Sequence, residues 1–295
     1  MKFIKPLLGL LSFSALTVSV AQASMPKSQI LLADLNTPYG MQVSIVSGNQ
    51  SYNNQPYLTQ SGLYFTHEVL KGEQSQTDIA YYDLVTKQTT NMTNTLVSEY
   101  SPTLMPNGKG VSAIVVEANA KQKLWQYPHD NTKKPRRIFD WIEPVGYHAW
   151  GDKNDVVMFI LGTPHTLQYT SVAAAKGEVI ANNIGRTLIY NHSMAQFLFS
   201  YTKNNQHIVA SFNPQTKHRE DLFRLPENVQ DFILKDDATI AYAIKNRVYL
   251  RKLDGRNEVS QWLDLSTYCE TNITRMSYNN AKLAFVCDVE NKESE

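Results

Sequence analysis

Thr77-Asp78-Ile79-Ala80-Tyr81-Tyr82-Asp83-Leu84-Val85-Thr86-Lys87 is the stretch on which the fold turns. Apolar and β-branched or aromatic residues alternate with polar ones and stop at an Asp-Leu turn, the pattern of a strand with a defined end. Weaker copies recur along the chain. They are Gln29–Leu35 around Asp34, Leu124–Pro128, Leu167–Val172 around Ser171, Ile208–Asn213, and Val248–Leu253 around Lys252. A period of about 40–50 residues, filled with further strands and no helical pattern, predicts the blades of a β-propeller. Six copies predict six blades.

Working outward, Gln55–Leu58, Gly62–His67, Thr77–Leu84 and Gln88–Thr93 read as the four antiparallel strands of one blade. The next begins at Ser98–Met105 and turns on Pro106-Asn107-Gly108-Lys109-Gly110. A third runs from Gly146–Trp150 through Val156–Leu161 to Glu178–Ile180. The fourth covers roughly 186–225 and the fifth roughly 229–265. The last blade is split. Ile273–Tyr278 and Lys282–Asp288 supply its two inner strands, and Gln29–Leu35 with Met41–Val46 supply its two outer ones. This pairing closes the ring and leaves no open sheet edge. The fold class is therefore all-β, a six-bladed propeller of four-stranded blades forming a single domain over 24–290, with 291–295 a frayed polar tail.

Residues 1–23 read as a secretory signal peptide. Lys2 and Lys5 form a basic start, Pro6–Val20 is apolar, and Ala21-Gln22-Ala23 is a small-x-small cleavage site, so the mature chain is expected to begin at Ser24. No Cys follows that site, and no apolar run of spanning length occurs later, so a periplasmic protein with no membrane span is expected. The net charge of +1 excludes a strong field for nucleic acid. The basic cluster Lys133-Lys134-Pro135-Arg136-Arg137 falls in an outer turn. In an oxidising compartment Cys269 and Cys287, which flank the last inner hairpin, are expected to be bridged.

Two resemblances follow. Tyr100-Ser101-Pro102-Thr103-Leu104-Met105-Pro106-Asn107-Gly108-Lys109 resembles the "S-P-x-x-S-P-D-G-K" hairpin of WD40-like PD40 repeats, and Asp78–Leu84 resembles the "D-I-Y-x-x-D-L" strand of the same repeats. Both imply the propeller of the TolB-like family, without the α/β domain that precedes it in TolB itself, for which this sequence leaves no room. Glu143–Trp150, Pro164–Gln168 and Asn183–Arg186 resemble segments of exported TolB-like proteins, a likeness that carries no activity.

A propeller acts through its mouth. Glu99 and Tyr100 stand before the inner strand of the second blade. His148, Arg186 and Asp231 stand at the heads of the inner strands of the third, fourth and fifth, and His165 lies in a loop of the third. These positions are expected to converge on one ligand-binding cavity about 10 Å across. Each residue also has a structural role open to it: Asp231 and Arg186 as partners of strand ends, His148 as an imidazole bonded within the blade, Glu99 as a solvated carboxylate. Arg186 suits a carboxylate or phosphate. The expected function is non-catalytic recognition of a peptide, protein segment or small anionic or carbohydrate ligand of the cell envelope by a monomer, with no cofactor. The alternative is a metal-dependent lyase or hydrolase acting on a sugar polymer. A metal would sit on Glu99, His148 and His165. His165 and Gln168 have a loose likeness to the histidine and glutamine metal ligands of oligogalacturonate lyases. The sequence shows no nucleophile elbow and no phosphate-binding glycine pattern.

Overall fold

The computed structural model of the chain describes residues 25–130 and 132–289. The expected signal peptide, its cleavage point at Ser24 and the tail at 291–295 lie outside the described residues. The chain opens with β1 (Ser28–Asp34) and β2 (Gln42–Ile45). Blade 1 is β3 (Asn53–Leu58), β4 (Gly62–Lys71), β5 (Gln74–Asp83) and β6 (Thr89–Asn91). Blade 2 is β7 (Ser98–Leu104), β8 (Gly110–Val116), β9 (Gln122–Pro128) and β10 (Arg136–Arg137). Blade 3 is β11 (Val145–Trp150), β12 (Asp155–Ile160), β13 (Thr166–Ser171) and β14 (Glu178–Asn182). Blade 4 is β15 (Ile184–Asn191), β16 (Gln196–Lys203), β17 (Gln206–Phe212) and β18 (Arg219–Arg224). Blade 5 is β19 (Ile233–Asp236), β20 (Thr239–Ile244), β21 (Arg247–Lys252) and β22 (Val259–Asp264), and β23 (Ile273–Asn279) and β24 (Lys282–Asp288) end the chain.

Each blade is one four-stranded sheet, and the sixth has the order β2-β1-β24-β23. The ring thus closes by pairing β1 with β24, Ser28 opposite Asp288 through Asp34 opposite Lys282. A part-buried tie reinforces the joint between first and last blades: the Leu58 amide donates to Ser277 Oγ at 2.9 Å. Cys269 and Cys287 are disulfide-bonded, which fixes the loop before β23 to the end of β24.

The core is distributed around the ring. Six hydrophobic clusters occur, one in each seam between neighbouring blades. Successive side chains of a strand point to opposite faces, so a middle strand must be apolar on both. β1 shows this: Ile30 and Leu32 enter the seam with blade 1, while Leu31 and Ala33 enter the seam with blade 5. That is why these strands read as unbroken apolar runs, whereas the outermost β6 and β10 are short and exposed.

The innermost strands carry the feature that shapes the channel. In every blade the pairing of the innermost strand with its neighbour slips: at the start of the innermost strand in blades 3, 4 and 6, within it in blades 1 and 2, and near its end in blade 5. A bulge inserts an unpaired residue and re-aims the side chains next to it. Pro56 and Pro102 sit inside two of these bulges, on the one strand edge with no ladder partner to lose. Gly185 opens the bulge of blade 4, where a Cβ would lie 2.3 Å from Ser200 Oγ.

Candidate functional site

The six innermost strands enclose a channel of about 950 Å³. At its upper mouth Tyr147, Arg186 and Arg275 stand at the slips of blades 3, 4 and 6, and Asp231 joins them from the loop before β19. Arg186 follows Gly185 and is the third residue of β15, rather than its first. Its Nε lies 3.1 and 2.9 Å from the two carboxylate oxygens of Asp231, its Nη2 also donates to Asp231, and Nη2 reaches the Thr274 carbonyl at 3.3 Å. Burial alone would lower the Arg186 guanidinium, but the hydrogen bonds and charge of Asp231 outweigh it and hold it above its ordinary value.

Asp231 lies just ahead of β19 and is shared. It accepts from Thr187 Oγ1 at 3.0 Å, and Arg275 Nη1 approaches it at 3.6 Å. Arg275 donates from Nη2 to the Tyr147 hydroxyl at 3.0 Å, with its guanidinium carbon 5.0 Å from the centre of the Tyr147 ring. Tyr52 stands close to this group, its phenol pushed well up by burial, with Tyr147 and Tyr100 adding to the rise and Arg275 and Arg186 opposing it. Asp288, also on the channel wall, has its carboxyl pushed up by burial. The mouth therefore gathers two guanidinium groups around the carboxylate of Asp231, with the Asp288 carboxyl also on the wall and near enough for Arg186 to act on it.

The sequence-based set is only partly brought together. Arg186 and Asp231 meet as a bidentate pair. Tyr100 is half-buried, packed on the seam between blades 2 and 3, and near enough to act on Tyr52. Glu99 is not at the mouth. It is fully buried in the seam between blades 1 and 2, where Thr93, Thr95 and the Tyr127 hydroxyl donate to it. Burial, with the nearby charge of Asp78, raises its carboxyl to about 7 against those donors. The reason is strand parity: Glu99 precedes the bulge of β7, so its side chain enters the seam.

His148 lines the channel wall but is buried, and its Nε2 lies 2.7 Å from Ser112 Oγ. Trp150 Nε1 donates to the same oxygen at 2.7 Å, and Ser112 Oγ lies 3.2 Å from the Thr103 carbonyl. Serine has one proton, so the arrangement closes with His148 and Trp150 donating and Ser112 passing its proton to Thr103. Burial lowers the imidazole to about 3, so it is neutral at working pH. His165 is exposed, takes the Gly162 amide on Nδ1 at 3.2 Å, and leans on Phe159 at 4.8 Å. It is not beside His148. Glu99, His148 and His165 thus occupy three separate environments and form no metal site, and among the described residues no group of three His, Cys, Asp or Glu side chains is placed to hold a metal.

Arg275, Tyr147 and Tyr52 escape sequence reading. The signal for two of them is positional. Ile184-Gly185-Arg186 and Ile273-Thr274-Arg275 put Ile-x-Arg at the heads of β15 and β23, and Val145-Gly146-Tyr147 puts a tyrosine at the same place in β11. Aligning the blade heads would have found them.

No protein-family model matches the sequence, and no curated protein matches it. Solved structures do. A TolB-like protein from Agrobacterium tumefaciens superposes with a TM-score of 0.70 at 12% identity, covering 90% of this chain and 99% of that one. The fold is that of TolB-like six-bladed propellers. TolB from Acinetobacter baumannii gives a TM-score of 0.59 at 12% identity over 79% of this chain and 63% of its own. An oligogalacturonate lyase from Vibrio parahaemolyticus gives 0.52 at 8% identity over 92% and 100%. Propellers of this shape thus include both TolB and an enzyme, and the fold alone does not choose between them.

Proposed function

We propose that this protein is an exported, non-catalytic recognition propeller that binds a peptide or protein segment of the cell envelope, gripping an anionic group of that segment at the upper channel mouth. The observation that carries this reading is the arrangement of charge there: Arg186 pairs closely with Asp231, while Arg275 reaches the same carboxylate only at 3.6 Å. Arg186 is held through its Nε and Nη2 by the bidentate pair with Asp231. Arg275 has a 3.6 Å contact to Asp231, one hydrogen bond to the Tyr147 hydroxyl and the face of that ring, so its guanidinium fork has capacity for a carboxylate. Tyr147 and Tyr52 supply flat apolar surface beside it. The TolB likeness is consistent with a binding role, and the scattering of Glu99, His148 and His165 removes the metal set on which the lyase alternative depended.

The test is calorimetry of the purified chain against a peptide library in free-carboxylate and amidated forms. Binding confined to free carboxylates, and lost in Arg275→Ala, supports the reading. Equal binding of both forms, or none, would sink it. Export is tested separately, by mass spectrometry of the protein recovered from the producing cell: a chain starting at Ser24 supports it, and a retained Met1 in a cytoplasmic pool does not.

A further inference from the structure

A second cavity, of about 360 Å³, opens at the lower end of the seam between blades 1 and 2, away from the channel. Tyr64 on β4 and Tyr127 on β9 are buried and form its floor. Tyr81 on β5 leans over Tyr64 with ring centres 4.7 Å apart. Gly62 makes that pose possible, since a Cβ there would lie 2.3 Å from the Tyr81 ring. Pro128 and Pro135 form the opposite wall.

Two features define what can enter. The first is that the tyrosine hydroxyls are already engaged. Tyr81 donates to Ser61 Oγ at 3.3 Å, Tyr127 donates to Glu99 at 3.2 Å, and Tyr64 pairs with His129 Nε2 at 3.2 Å. Tyr64 and Tyr127 are buried, with Tyr81 over Tyr64 and His129 near-parallel to it at 6.4 Å, so the aromatic surface left to a ligand is chiefly that of half-buried Tyr81. The second is charge. The lining holds Lys133 and no carboxylate. Asp130 sits 3.5 Å from that ammonium, but both side chains are about half or more exposed, so the pairing is weak. Lys134 and Arg136 are exposed in the same turn and strand.

We infer that this cup binds a proline-rich, acidic peptide segment in an extended polyproline conformation. A pyrrolidine ring stacks on aromatic faces and brings no N–H to satisfy, and polyproline segments pay little ordering entropy on docking. A sugar ring of similar size would need partners for several hydroxyl groups at once, and beyond Thr90, His129 and Lys133 the lining is mostly aromatic, proline and methionine surface. The basic turn then takes an acidic side chain flanking the prolines. This site is independent of the channel mouth.

The experiment is calorimetric titration of the full chain with a synthetic peptide of prolines and glutamates, with a proline–lysine peptide and an anionic oligosaccharide as competing probes. The proline–glutamate peptide is expected to bind. Gly62→Ala, which displaces the Tyr81 ring without deleting it, weakens it about tenfold, and Lys133→Gln on the exposed lip about threefold with a flatter salt dependence. Arg275→Ala leaves it unchanged. No binding at about millimolar peptide, binding untouched by both Gly62→Ala and Lys133→Gln, equal binding of the proline–lysine peptide, or an oligosaccharide that binds this cup when the peptide does not would each overturn the inference.

Discussion

Glu99 and Asp231 are acids at the heads of innermost strands on opposite sides of the ring, and their surroundings treat them oppositely. Glu99 is sealed in a seam with three hydroxyl donors, and the ionisable groups acting on it are Asp78 and Tyr127 rather than a cation. Asp231 stands in the channel with a guanidinium on either side. The sealed acid is driven toward its neutral form and serves the fit between two blades. The open acid is shared between two guanidinium groups, one held closely and the other at 3.6 Å. Stability in this ring therefore resides in the seams, and capacity for a ligand resides where bulges turn charge into the channel.

The largest test of that division is in a seam. Trp150 is buried between blades 2 and 3 and donates to Ser112. Trp150→Ala is expected to lower unfolding stability by about 3–5 kcal/mol, the usual cost of emptying an aromatic site, as measured by denaturant titration. A loss below about 1 kcal/mol would mean that the seams are not where the ring is held.

Glu99 tests the same division through pH. Its native value of about 7 lies above the ordinary 4.5, so the native state favours the protonated form. The stabilisation it contributes is complete below about pH 4.5 and is lost as pH rises through about 7. The difference corresponds to about 3 kcal/mol as an order of magnitude. Glu99→Gln should flatten the fall in melting temperature between mildly acid and alkaline pH. An unchanged pH profile would show that Glu99 is ionised in the seam after all.

The outcome for these two acids marks how far the sequence was legible. The blade period, the split sixth blade and its closing pair were readable because buried strands must be apolar on both faces, and Gln29–Leu35 and Leu283–Cys287 announce that directly. Of the expected mouth residues, the structure pairs Arg186 with Asp231 and keeps His148 on the channel wall, while Glu99 and His165 lie elsewhere. The slips between Val145 and Tyr147, and between Ile273 and Arg275, decide which neighbour faces the channel. A bulge adds one residue without changing composition, so parity counted from the pattern chose His148 over Tyr147.

Asp231→Asn separates the two roles in a single residue. It strips the counter-charge from Arg186 and Arg275, and because Arg186 is 36% exposed the cost should be only about 1–2 kcal/mol. The same change should tighten binding of a carboxylate ligand at the mouth, because an internal competitor is gone. Weaker binding in Asp231→Asn would show instead that Asp231 itself touches the ligand.

The smallest stability effect and the sharpest functional one are expected together at Arg275. Its guanidinium holds the hydroxyl and ring face of Tyr147 and one distant carboxylate oxygen, so its native contacts centre on a single neighbour. Arg275→Ala should change stability by no more than about 1 kcal/mol while weakening a carboxylate ligand at least about tenfold, the loss of one charge-assisted pair. Arg275→Lys keeps the charge but not the planar fork, so it should restore only part of the affinity. Full rescue by lysine would mean that the mouth offers a field rather than a fitted contact. A stability loss in Arg275→Ala as large as that of Trp150→Ala would place Arg275 among the groups that hold the ring, and the division between seam and mouth would fail at the residue on which the proposed function rests.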